Sequence, residues 1–173
     1  NNKNLIGLLN EYPVAKGDVF FLETGTIHAI GAGVVVAEIQ QTSDITYRLY
    51  DFDRVDDNGN LRELHVDLAL EAINYDVVEA KKEYTSFENV SNEAVNCPYF
   101  TTNVLPLKGK INVNHNDKDS FVIYMCVEGS TTFTYQNQSE KLAMGETILI
   151  PASIKNIEIV AENQSELLEV YIK

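Results

Sequence analysis

From residue 99 to its end, the chain is almost entirely short apolar runs cut by glycine turns, and this rhythm limits the possible fold more than any other feature. The runs are 99–107, 111–114, 121–127, 131–135, 147–150, 157–160 and 167–172, and Glu128-Gly129-Ser130 and Met144-Gly145-Glu146 punctuate them at regular spacing. Short β-branched and aromatic segments separated by turn residues predict an antiparallel barrel or sandwich. This part should be self-contained.

The preceding half is less complete. Apolar residues at helical spacing over 4–9, stopped by Asn10 and Pro13, predict a first short helix. Segment 14–22 is strand-like and a turn follows at Gly25. Residues 26–30, 34–41 and 45–50 continue as strands, broken at Gly31-Ala32-Gly33 and Thr42-Ser43-Asp44. Leu64, Leu68, Ala69, Ala72 and Ile73 then define an amphipathic helix over about 64–74. These strands are too few to close a barrel. Residues 79–95 are polar with little periodicity, so three parts are expected: an incomplete unit over 1–78, a connection over 79–98 and a second, smaller β-barrel over 99–173.

The 173 residues carry a formal charge of −13, which argues against nucleic acid or an anionic membrane surface as partner. An anionic substrate would need a local cationic pocket, and Arg48, Arg54 and Arg62 are clustered. No apolar run reaches membrane-spanning length and the start has no signal-peptide character. Cys97 and Cys126 lack metal-type spacing and read as reduced, partly buried thiols, so a cytoplasmic protein is expected. The chain opens on Asn1 rather than methionine, and a piece of a longer chain or a trimmed form is the expectation.

One stretch carries candidate chemistry. Gly17 to His28 (GDVFFLETGTIH) reads as a strand, a tight turn at Gly25 and a second strand carrying His28 inward, where a neutral imidazole can ligate a metal. Its spacing resembles the second motif of the cupin superfamily, with Glu23 where proline usually stands. A weak internal repeat accompanies it. Gly145, Pro151-Ala152-Ser153 and Asn156 copy the spacing, with Asn156 in the histidine's place. Gly109, His115, Asp117, Val122 and Gly129 fit the other cupin motif, with Asp117 and Val122 at ligand positions. The C-terminal barrel is therefore expected to bind no metal.

The block IHAIGAGVVVAEIQQTSDITYRLYD (27–51), the preceding KGDVFFLETGTIHAIG and the following RELHVDLALEAINY are similar to the type I phosphomannose isomerase family in its short bacterial form. The resemblance is strong over about 10–75 and weaker over the C-terminal barrel. It implies a mainly β, cupin-type jelly roll: an incomplete first cupin, then a second barrel, with two short helices. It also implies interconversion of mannose 6-phosphate and fructose 6-phosphate with one bound zinc. His28 then matches a zinc ligand, Glu38 an acidic active-site residue, and Asp44 and Arg48 an aspartate and arginine lining the substrate pocket. Proton transfer between C2 and C1 through an enediol needs an acid/base group within hydrogen-bond reach, with positive charge near the oxygens. Arg48, with its rigid fork, suits the second task, and Asp44 suits proton handling or orienting Arg48.

Plainer readings stand beside these. Asp44 can be a turn residue, Arg48 can pair with Asp51 or Asp53, and Glu38 can be solvated at a barrel rim. His65 and His115 read as surface residues, and Lys16 as solvated.

Zinc needs three or four ligands, and this chain offers one convincing histidine. The family's glutamine, second histidine and glutamate lie upstream of the first helix, so the chain reads as a C-terminal part that is inactive by itself. The rival readings are a non-enzymatic cupin that binds or senses carbohydrate, and a scaffold piece that completes its first barrel with a partner chain. Exposed strand edges also suit a homo-oligomer.

Overall fold

The structure is a computed structural model that describes residues 3–43 and 45–172. It divides into two compact units, Asn1–Lys81 and Lys82–Lys173.

Unit 1 opens with a short helix α1 (Lys3–Ile6), whose turn is extended by hydrogen bonds from Leu8 N–H to Leu5 O and from Leu9 N–H to Ile6 O. Strand β1 is brief (Val19–Phe20) and pairs with β2 (Lys81–Lys82). Beside this ladder Phe21 N–H bonds Ala80 O at 2.8 Å, and Lys81 pairs with Asp18 at 2.9 Å. The second helix, α2 (Val66–Ala72), lies within the predicted span. His65 is its N-cap, without a side-chain cap bond, and Asp67 supplies negative charge to the first turn.

The strands expected at 26–30, 34–41 and 45–50 do not form ladders among the described residues. An extended segment becomes a strand only when a neighbour takes its N–H and C=O groups, and no such neighbour lies alongside. Many of their apolar side chains stay in solvent accordingly, with Val35 93% and Ile45 66% exposed, and Ile27, Ile39 and Leu49 are only half-buried. Within unit 1 the described buried apolar residue is Ala69.

Unit 2 contains two antiparallel sheets. The first has the order β5 (Lys110–Asn114), β10 (Asn156–Ala161), β7 (Ser130–Tyr135), β8 (Gln138–Ala143). The second runs β3 (Asn92–Asn96), β4 (Thr101–Leu107), β11 (Ser165–Tyr171), β6 (Val122–Glu128), β9 (Thr147–Ile150). Alternation decides which face is inward. Val122, Tyr124 and Cys126 of β6 are buried, as are Ile157, Ile159 and Ala161 of β10. These join Leu105, Leu107, Phe133, Leu142, Ile150 and Leu167 in one core, and the Tyr124 and Phe133 rings meet at 5.2 Å. Both cysteines are free and buried. Strand β3 falls in the stretch expected as a connection, and β8 has no counterpart among the predicted runs.

Turn Glu128-Gly129-Ser130 needs its glycine. Gly129 has φ +74°, and a Cβ there would sit 2.5 Å from Ser165 Oγ and 2.7 Å from Gln164 O.

Candidate functional site

The glycine-spaced loop of unit 1 is built around Gly25. At φ +87° it lies so close to the end of α2 that a Cβ would stand 2.5 Å from Ala72 O and 2.7 Å from Asn74 N. Asn74 N–H bonds Gly25 O at 3.0 Å, and Thr26 N–H closes the turn on Glu23 O at 3.0 Å. Two residues on, His28 Nδ1 lies 2.8 Å from Thr26 O. A carbonyl can only accept, so Nδ1 carries a proton, and in the neutral tautomer this selects, the lone pair lies on Nε2. The imidazole is exposed rather than directed into a closed sheet, because residues 26–30 lack a ladder neighbour.

Glu38 is exposed, and Asp44 lies outside the described residues. Arg48 is better anchored. Its Nη1 donates to Glu63 O at 3.3 Å, its backbone N–H donates to His65 Nδ1 at 3.2 Å, and its C=O accepts from His65 N–H at 2.8 Å. His65, expected at the surface, is half-buried: it ties residue 48 to the start of α2. Among the described residues no hydrogen bond or ion pair joins His28, Glu38 and Arg48 to one another.

The clustered arginines converge on one carboxylate. Asp51 is 6% exposed, and Arg62 grips it with Nε to Oδ2 and Nη2 to Oδ1, both at 2.8 Å. Arg54 adds Nη2 to Oδ1 and Nε to the Asp51 carbonyl, and Arg48 Nε stands 3.8 Å away. The Arg62 fork, against some burial, holds the Asp51 carboxyl far below the usual carboxylate range, with Arg54 adding to it. The pairing of Arg48 with Asp51 is thus present as a distant member of this hub.

Unit 2 holds a buried polar cluster. Glu169, 1% exposed, takes a bond from Tyr124 Oη to Oε1 at 2.9 Å, and its Oε2 accepts from Asn103 Nδ2 at 2.8 Å and from Ser91 Oγ. Lys118 Nζ lies 3.5 Å from Oε1 and 4.8 Å above the Tyr171 ring. His115 Nε2 is 2.8 Å from Tyr124 Oη. His115 was expected at the surface and is 2% exposed, because its side chain turns inward from the polar loop onto Tyr124. Burial, helped by Lys118, pushes its imidazole below the ordinary value, and burial with the Glu169 charge pushes the Tyr124 phenol up. The other repeat positions diverge: Val122 is in the core, while Asp117 is 76% exposed and Asn156 bonds Asn114 at the surface. The phase of LLEVY offered the signal for this cluster, since Glu169 shares a strand face with Leu167.

Zinc requires several converging donors, and among the described residues no three His, Cys, Asp or Glu side chains group to hold a metal. The described residues thus fit one corner of such a site through His28 Nε2 and do not complete it.

Two antiparallel sheets closed over one core, preceded by a glycine turn bearing a histidine, define a cupin-class protein. Residues 91–172 match the model described as the mannose-6-phosphate isomerase cupin domain. The chain is 31% identical to the mannose-6-phosphate isomerase of Streptococcus mutans over 92% of its own length and 52% of that protein. With the mannose-6-phosphate isomerase ManA of Bacillus subtilis it shares 30% identity over 88% of this chain and 49% of the relative. The crystal structure of the Bacillus subtilis mannose 6-phosphate isomerase superposes with a TM-score of 0.63 at 28% identity, covering 75% of this chain and 41% of that one. The chain resembles mannose-6-phosphate isomerases along most of its own length, and it spans about half the length of these curated relatives.

Proposed function

We propose that this chain is the C-terminal part of a zinc-dependent mannose-6-phosphate isomerase, acting on a sugar phosphate in the cytoplasm and inactive as residues 1–173 alone. The observation that carries the reading is similarity along 92% of the chain to a protein of that name. His28 supplies one zinc donor through Nε2, with Nδ1–H held by the Thr26 carbonyl. When bound, zinc supplies Lewis-acid stabilisation of the sugar oxygens. Arg48, held by the Glu63 carbonyl and by its backbone bonds to His65, would present its remaining N–H groups to those oxygens. Glu38 and Asp44 are the acid/base candidates, one of them moving the proton between C2 and C1.

The test has two arms. Purified 1–173 should contain well under one zinc per chain by elemental analysis and should not isomerise mannose 6-phosphate. Supplying the N-terminal half of a relative such as the Bacillus subtilis enzyme should restore turnover, which His28→Ala should abolish. Stoichiometric zinc and turnover in the isolated chain would overturn the claim of inactivity. Failure of every supplied half to restore turnover would overturn the isomerase assignment.

The rival reading is a carbohydrate-binding cupin without metal, which would keep Arg48 and its pocket but not the zinc. Calorimetric titration separates the two: micromolar binding of mannose 6-phosphate by the isolated chain, unaffected by a chelator, supports the binding module.

A further inference from the structure

Strand β3 is the outermost strand of its sheet, it has five residues, and its ladder with β4 shifts register between Glu93 and Val95. A short, bulged edge strand is held by few ladder bonds. Side chains make up the deficit. Buried Asn92 donates from Nδ2 to the carbonyls of Phe87, Val90 and Val104, and its Oδ1 accepts from Phe87 N–H at 2.9 Å. One residue earlier, the Ser91 hydroxyl reaches Glu169. Asn103, which donates to the same carboxylate oxygen, stands opposite Glu169 on one side and Glu93 on the other. A single buried carboxylate on β11 therefore gathers donors from the residue just before β3, from β4 and from β6.

We propose that Glu169 is a latch: ionised, it holds residues 87–96 to the five-stranded sheet, and protonated, it lets that edge peel away while the rest of the core persists. The charged and titratable groups facing it are Lys118 at 3.5 Å, His115 at 4.0 Å and Tyr124 at 2.9 Å. Asp117 stands 3.8 Å from Lys118, and Lys155 Nζ caps the Lys118 and His115 carbonyls of the same loop. The side chains reaching Glu169 from the β3 side and from β4, Ser91 and Asn103, are neutral. Burial opposes the Glu169 charge, but Ser91, Lys118, Asn103 and Tyr124 outweigh it and hold the carboxyl below the usual glutamate value. A depressed folded value means the latch is fully present above the unfolded carboxyl pKa of about 4.3 and is lost as pH falls through the folded value.

Hydrogen–deuterium exchange of the whole chain tests this, with acid-series rates corrected for intrinsic exchange. In Glu169→Gln at pH 7, peptides over 87–96 should exchange roughly tenfold faster, while those of β7 and β10 keep wild-type protection. Ser91→Ala should move the same peptides in the same direction by less, and acidified wild type should reproduce the Glu169→Gln pattern. Unchanged protection over 87–96 in Glu169→Gln, or its loss only together with β7 and β10, would overturn the latch. Should Glu169→Gln fail to fold, Ser91→Ala decides alone: unchanged 87–96 exchange in a folded Ser91→Ala protein refutes the proposal.

Discussion

In unit 2 buried apolar side chains run from Cys97 to Val170, whereas in unit 1 the described buried apolar residue is Ala69. Strand-forming composition is not what separates them. Segment 34–41 opens with three valines, yet Val34, Val35 and Val36 are all exposed, while the plainer Gln138–Ala143 pairs residue for residue with β7. A strand forms where a neighbour accepts its backbone bonds and a second layer covers its apolar face. Unit 2 offers both to every strand from β3 to β11.

The contrast can be broken most decisively by amide exchange. Amides over 27–43 should exchange at near free-peptide rates, and those of β6, β10 and β11 should be among the slowest; comparable protection in the two sets would abolish the distinction. Next comes Tyr124→Ala, which removes a fully buried ring together with its bonds to His115 and Glu169. Its expected cost is about 4 kcal/mol in the urea unfolding transition of unit 2. Gly129→Ala should cost roughly 2–3 kcal/mol in the same transition, through the left-handed φ and the clash with Gln164 O. Gly25→Ala carries the same two faults in unit 1, and its effect should be local, read as faster exchange over 66–74 without a shift of the unit 2 transition. The acid limb separates the units further. Asp51, with its carboxyl depressed by the Arg62 and Arg54 forks, contributes stability above the unfolded carboxyl pKa, lost only in strong acid. Near pH 3 the arginine NMR signals of the hub should still be those of the paired state. Smallest of all, Val35→Ala, at a position 93% exposed, should alter stability by less than about 0.5 kcal/mol.

Much of unit 2 is legible in the sequence. Segment 147–150 coincides with β9, and the inward positions of β6 and β10 follow from alternation. Strand β8 is not legible, because an edge strand needs to bury little, and only Leu142 in Gln138–Ala143 is buried. In unit 1 the periodicity is written clearly, but a pattern names a strand's faces without providing its neighbour. The site divides in the same way. The turn that carries His28, and the arginines around Asp51, are visible as spacing and clustering. The inward turn of His115 is invisible, since NHND looks like any solvated loop until Tyr124 and Glu169 are placed beneath it.

The close approach of Gly25 to the C-terminal end of α2 has a mechanical consequence. Backbone meets backbone there, with Asn74 N–H bonded to Gly25 O and no room for a side chain at residue 25, so the turn is tied directly to the helix end. A substitution on α2 that shifts Ala72 or Asn74 by a fraction of an ångström would displace the turn that leads to His28, so positions outside that turn help set where its imidazole sits.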